Sequence, residues 1–92
     1  MSAEIAAGGA ALHVTVVCPE RQLFEGEATA VVAPAYDGEV GILPRHAPFL
    51  TLLGKGKLVV RQGGEARQFA VSGGFAQVAG NRVRIVVEQV EG

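Results

Sequence analysis

Polar and apolar residues alternate along much of this chain, and no apolar stripe at helical spacing runs long enough for a stable helix. Leu12, Val14 and Val16 alternate with His13 and Thr15, the period of a half-buried strand. Cys18-Pro19 ends it, because proline cannot continue a paired strand. Leu23-Phe24-Glu25-Gly26 reads as a short extended piece closing on a glycine. Ala28 to Ala33 is β-prone at Thr29, Val31 and Val32, and Pro34 is expected to stop it. Val40-Gly41-Ile42-Leu43 is a brief strand. Phe49 to Leu53 is an apolar run broken by Gly54-Lys55-Gly56, and periodicity does not decide between a buried strand and one turn of helix.

After Gly56 the pattern sharpens. Lys57 to Gln62 is a strand, Gly63-Gly64 a two-residue hairpin turn, and Glu65 to Ser72 its partner, with Phe69 and Val71 on one face. Gly73-Gly74 marks a bulge or corner before a short strand at Phe75 to Val78. Ala79-Gly80-Asn81 turns the chain into a last strand, where Val83, Ile85 and Val87 oppose Arg82, Arg84 and Glu88. Many short strands with turn signals at about 8–12-residue spacing predict an antiparallel β-sandwich or flattened barrel. The fold class is therefore all-β. Residues 12–90 form one domain without internal repeats, and residues 1–11, rich in Ala and Gly, are expected to be a flexible N-terminal extension.

Composition narrows the function. With 92 residues there is room for one core only. Aromatics are 5% of the chain, which tells against a deep aromatic-lined pocket. A net charge of −1 leaves no overall electrostatic footprint for nucleic acid or an anionic membrane. The single cysteine excludes an internal disulfide framework and any multi-cysteine metal site, and it suits a reducing compartment. No apolar run approaches the roughly 18 residues of a membrane-spanning helix. Met1 to Ala11 has no basic residue and no sustained apolar core, a poor match to a signal peptide, so the protein is expected to stay inside the cell.

One stretch departs from the plain sheet pattern: Asp37 to Thr51 packs two prolines, two glycines, both signs of charge and a histidine together. Asp37-Gly38 is a tight-turn dipeptide, Gly41 permits a second bend, and Pro44 and Pro48 withhold two amide donors. Backbone shape is thereby fixed, with Glu39, Arg45 and His46 presented outward; the plain alternative is an ordinary loop between strands. Chemistry is sparse elsewhere. Gly54-Lys55-Gly56-Lys57 lacks the spacing of a phosphate loop, and Ser72-Gly73-Gly74 lacks the leading glycine and helix of a nucleophile elbow. Asp37 and Glu39 could share a face, but acid–base work needs a pocket that shifts one of them. His13 has no metal-ligand neighbours, and Cys18 has no basic neighbour to activate it. No catalytic residue, metal or cofactor is assigned.

Four stretches, in order, resemble the epsilon subunit family of the F-type ATP synthase, in its N-terminal β-sandwich domain. They are Leu23-Phe24-Glu25-Gly26; Gly38-Glu39-Val40-Gly41-Ile42-Leu43-Pro44; His46-Ala47-Pro48 with Leu50-Thr51; and Phe69-Ala70-Val71-Ser72-Gly73-Gly74-Phe75. The resemblance implies a sandwich of two five-stranded sheets. It also implies a non-catalytic central-stalk rotor subunit of a proton-translocating synthase, linking the gamma subunit to the membrane rotor ring. Such a subunit is peripheral, on the cytoplasmic face of the bacterial inner membrane. Carried over by position, Gly38, Glu39 and Val40 would meet the rotor ring, and Cys18, His46 and Thr51 would lie on or near the gamma-facing side. Family members usually continue into a two-helix C-terminal domain that can inhibit ATP hydrolysis and in some cases binds ATP. The sequence ends at Gly92, where that domain would begin, so those roles are not assigned. The competing reading is a free-standing sandwich that binds a small ligand or saccharide, for which Tyr36 is the one tyrosine available for stacking.

Overall fold

In the computed structural model, which describes residues 11–91, the alternating stretches are β-strands and no described residue is helical. The strands are β1 (Leu12–Cys18), β2 (Arg21–Ala28), β3 (Ala30–Ala35), β4 (Gly38–Ile42), β5 (Phe49–Leu52), β6 (Lys55–Gln62), β7 (Glu65–Ala79) and β8 (Arg82–Glu91). They form one hydrogen-bonded ladder in the order β2-β1-β8-β7-β6-β3-β4, with β5 added on β7. Only β1 and β8 run parallel; every other pair is antiparallel. The flexible extension and the signal-peptide reading concern residues outside the described ones, Ala11 apart.

The ladder becomes a sandwich at Gly73-Gly74. Both residues have positive φ, 78° and 114°, which L-residues with a Cβ rarely adopt. Before this point β7 pairs with β6 through Glu65–Ser72; beyond it, Phe75–Val78 pairs with β5. Leu53 N–H donates to Gly74 O at 2.9 Å and Gly73 N–H to Gly54 O at 3.3 Å, so the bend is pinned from both sides. One arm holds β4, β3, β6 and the first half of β7; the other holds β2, β1, β5 and the second half. β8 follows β7 through both arms, from Glu91 opposite Ala70 to Arg82 opposite Ala79. The two sheets that the resemblance implies are not separate units here: the strands form one continuous ladder, and each arm has five strand segments only when β7 and β8 are counted in both. Because glycine lets the backbone bend without breaking pairing, β7 and β8 serve both arms, and Phe75–Val78 is a continuation of β7 rather than a strand of its own.

Inward positions of both arms meet in one core. Val14, Val16, Val31, Leu58, Val60, Ala76 and Ile85 are among its fully buried members, and among the described residues no polar or charged one is buried with them. Each buried Val, Leu or Ile contributes about 1.5–3 kcal/mol relative to exposure. The open side of the sandwich is laced where β2 approaches β6 and β7. Thr29 N–H donates to Arg61 O at 2.8 Å, and Gln62 Nε2 donates to Glu27 O at 3.0 Å. The Arg67 guanidinium lies 5.6 Å from the ring centres of both Phe24 and Phe69.

Several expected boundaries move. β2 continues through Gly26 to Ala28, and β6 begins at Lys55, so only Gly54 of the glycine cluster is outside a strand. Phe49–Leu52 is a strand, which settles the strand-or-helix question. Pro34 does not stop β3, because the last pair with β6 is Val32 with Val59. Past that point Pro34 has no ladder donor to supply on that side, and its carbonyl accepts from Gly54 N–H at 2.8 Å. The turn after β3 is centred on Tyr36-Asp37, not Asp37-Gly38. Ala35 pairs with Gly38, which opens β4 with φ 134°.

Candidate functional site

Two structures make up the unusual stretch. The first is the β3–β4 hairpin, whose β4 is an edge strand. Glu39 stands opposite Pro34, is exposed, and among the described residues has no hydrogen bond or ion pair. Val40 is half-buried and packs against the core, so it anchors the strand that displays Glu39. Gly38 supplies the positive φ that a side chain would resist.

The second structure is the turn Leu43–His46. Pro44 fixes the φ of the first central residue, and His46 N–H donates to Leu43 O at 3.2 Å. Arg45, the second central residue, has φ 69°, the pattern of a type II turn that favours Gly or Asn there. A side chain offsets that strain: Arg45 N–H donates to Asn81 Oδ1 at 2.8 Å, while Asn81 O accepts from His13 N–H at 2.7 Å. The loop is thus fastened to the β7–β8 turn and the start of β1. His46 is half-buried with its ring 4.8 Å from that of Phe49, and Nδ1–H donates to Ala47 O at 2.8 Å. In the neutral ring this leaves Nε2 as the acceptor.

The remaining site residues do not all come together. Thr51 lies in one row with Ala76, Ile85 and Val16, at the half-buried rim of the core. Cys18 ends β1 on the far side of β7 and β8, roughly 14 Å from β5 by strand spacing. Its side chain is only 8% exposed, with Sγ 3.6 Å from Glu20 Oε1. His46 and Thr51 therefore share the β5 edge, Cys18 is apart from them, and Glu39 belongs to the other arm.

The sequence reading missed a set of exposed apolar side chains. Leu50 and Leu52 point outward at 65% and 62% exposure, between inward-facing Phe49 and Thr51. Tyr36, 70% exposed, adjoins them, since its N–H donates to Leu52 O at 3.0 Å. Leu43 is 61% exposed on the neighbouring turn. A compact run such as Phe49-Leu50-Thr51-Leu52-Leu53 resembles a buried strand in sequence. Its one usable signal is Thr51 at its centre, which marks an alternation. Among the described residues no group of three or more His, Cys, Asp or Glu could hold a metal.

Comparison with known families decides what these surfaces belong to. Residues 11–92 match the family described as ATP synthase, Delta/Epsilon chain, beta-sandwich domain. The chain belongs to this family. The ATP synthase epsilon chain of Caulobacter vibrioides is 44% identical over 79 residues, covering 86% of this chain and 92% of that protein. That of Chloroflexus aurantiacus is 45% identical over 80 residues, covering 87% of this chain but 58% of that protein. Among solved structures, a chain in the cryo-EM structure of the Euglena gracilis mitochondrial ATP synthase (OSCP/F1/c-ring) superimposes with TM-score 0.82 at 27% identity, covering 89% of this chain and 53% of that one. A chain from the central stalk and c-ring of the Tetrahymena thermophila enzyme has the same fold, with TM-score 0.75, 21% identity and coverage of 87% and 65%. The delta/epsilon sandwich therefore accounts for the whole described fold.

Proposed function

We propose that this delta/epsilon domain is a non-catalytic rotor element of the central stalk of a proton-translocating F-type ATP synthase. In this role it joins a gamma-type subunit to the membrane rotor ring and couples ion flow to ATP synthesis from the cytoplasmic face of the bacterial inner membrane. Kinship with epsilon chains supports the assembly. The observation that carries a linking role is the division of labour between the arms: Glu39 is displayed on the β4 edge of one, while His46, Thr51 and the exposed leucines line the β5 edge of the other.

Each edge fits a different contact. Glu39, flanked by Gly38 and Val40, offers one unpaired carboxylate to the polar or basic loops of the ring. Such an exposed pair is worth about 0.2–1 kcal/mol and weakens with salt. Leu50 and Leu52 offer apolar area, each about 1.5–3 kcal/mol if fully covered, with His46 Nε2 and Thr51 Oγ1 as polar fixtures beside them. The β5 edge is thus the stronger, gamma-side contact; Cys18 reaches a partner only through its turn. The saccharide reading gains nothing from the two depressions beside His13 and beside Lys55 on the described surface, neither of which is lined by Tyr, Trp or Phe.

The test separates the edges. The chain is captured with a gamma-type subunit alone and with isolated rotor ring alone. Glu39→Arg is expected to weaken ring capture and leave gamma capture intact. Leu50→Asp and His46→Ala are expected to do the reverse, with His46→Ala costing about 1 kcal/mol for one lost hydrogen bond. Variants that affect both captures equally, or neither, would overturn the two-edge assignment.

A further inference from the structure

Apart from Leu50 and Leu52 at its β5 margin, where Leu50 stands opposite Gln77, the outward face of the second arm has no part in the two-edge reading, yet it is chemically organised. Strand register sets its side chains in rows across β2, β1, β8 and β7: Glu27, His13, Arg82 and Ala79 in one, and Glu25, Thr15, Arg84 and Gln77 in the next. Where these rows meet Gln22 and Val17 the surface sinks into a depression of about 490 Å³ lined by His13, Thr15, Gln22, Gln77, Arg82 and Arg84. That volume is within the range of small-ligand sites, roughly 300–1,000 Å³.

The polar lining is rich in donors and holds no carboxylate. Arg82 and Arg84 are two residues apart on β8, so both point the same way, about 7 Å apart along the strand. Among the described residues neither side chain makes an ion pair or a hydrogen bond. The acids nearest them are on β2, with β1 in between. One of these, Glu25, is engaged by His13, whose Nε2 is 3.3 Å from Oε2. Two unneutralised guanidinium forks flanked by the amides of Gln22 and Gln77 and the hydroxyl of Thr15 match the oxygens of a tetrahedral anion. The lining has no Phe, Tyr or Trp, and its one ring, the His13 imidazole, is engaged with Glu25.

We infer that this depression binds a phosphoryl oxyanion, recognised through its charged oxygens. The group could come free in solution, as inorganic phosphate or diphosphate, or as the headgroup phosphate of an acidic phospholipid.

The experiment titrates the isotope-labelled 92-residue chain with inorganic phosphate and with diphosphate at low salt, following backbone amide and arginine Nε resonances by NMR. In parallel, the chain is sedimented with phosphatidylcholine vesicles with and without phosphatidylglycerol. Saturable shifts at Arg82, Arg84 and Gln77 are expected, and the Arg82→Gln/Arg84→Gln variant, still folded by its melting curve, should bind at least tenfold more weakly. A Lys55→Gln/Lys57→Gln variant on the other arm should bind as the wild type does. Shifts with free anion alone identify the soluble source, and sedimentation with the acidic vesicles alone identifies the headgroup. No saturable binding in either arm overturns the inference, as does an equal loss in the lysine variant.

Discussion

Gly74→Ala tests how the sandwich is made. At φ 114° an added Cβ would fall onto the Val86 carbonyl oxygen, 2.9 Å from its carbon and 3.0 Å from Val87 Cα. The obstruction is backbone in the neighbouring strand, so no side-chain rotation relieves it. Backbone strain in so sparse a region costs about 1–3 kcal/mol. Moving β8 away from β7 forfeits one or two ladder hydrogen bonds at about 0.5–1.5 kcal/mol each. The expected loss is about 1.5–6 kcal/mol, against a total stability of roughly 5–14 kcal/mol for a chain of this length. Gly73→Ala has the same kind of φ, but its Cβ meets the end of the Glu88 side chain, which can swing away. Gly63→Ala meets nothing within 4 Å and bears only its φ of 65°, about 1 kcal/mol. Urea unfolding of the three variants should give midpoint losses in the order Gly74, Gly73, Gly63, with an unchanged m-value. A Gly74→Ala midpoint no lower than that of Gly63→Ala would refute the argument that β7 bends through a site closed to side chains.

Three further outcomes are expected. Arg45→Gly removes a non-glycine residue from φ 69° while keeping the N–H bonded to Asn81, so thermal melting should show a gain of up to about 1 kcal/mol rather than a loss. Arg67→Ala removes the cation over Phe24 and Phe69 and should cost about 1 kcal/mol, with faster amide exchange along β2 as the local readout. Glu39→Arg should leave the unfolding midpoint within about 0.5 kcal/mol of wild type while lowering coupled ATP synthesis in reconstituted membranes; an unfolded variant would make Glu39 structural instead.

Much of the fold is legible in the sequence because period-2 patterning reports directly which face a residue takes. Val83, Ile85 and Val87 read as inward and are buried; Arg82, Arg84 and Glu88 read as outward and are exposed. What patterning does not report is partnership. Gly73-Gly74 looks like punctuation between two strands, since two glycines weaken a strand locally. Only the ladder shows one strand passing through them, held by β8 along one side and handed from β6 to β5 on the other. Pro34 misleads for the same reason. A proline excludes a ladder donor, not a strand, and the sequence holds no sign that β6 has already left that edge.

The candidate surfaces divide along the same line. The exposure of Glu39 is legible, because turn chemistry and the lack of an adjacent cation in sequence both isolate its carboxylate. Cys18 and Thr51 carried no signal of their own, and the structure places them on opposite sides of β7 and β8. Leu50 and Leu52 were hidden in plain view, for apolar residues in a short run are taken as core unless their facing is known. A strand at the margin of a two-layer core can bury only one of its faces. Phe49 and Thr51 occupy that face here, so Leu50 and Leu52 must look outward whatever their hydrophobicity. An outward apolar pair beside Tyr36 adds nothing to this domain's own core. An exposed apolar pair on a four-residue edge strand is the kind of surface a partner covers, and the gamma-side contact proposed above would do so.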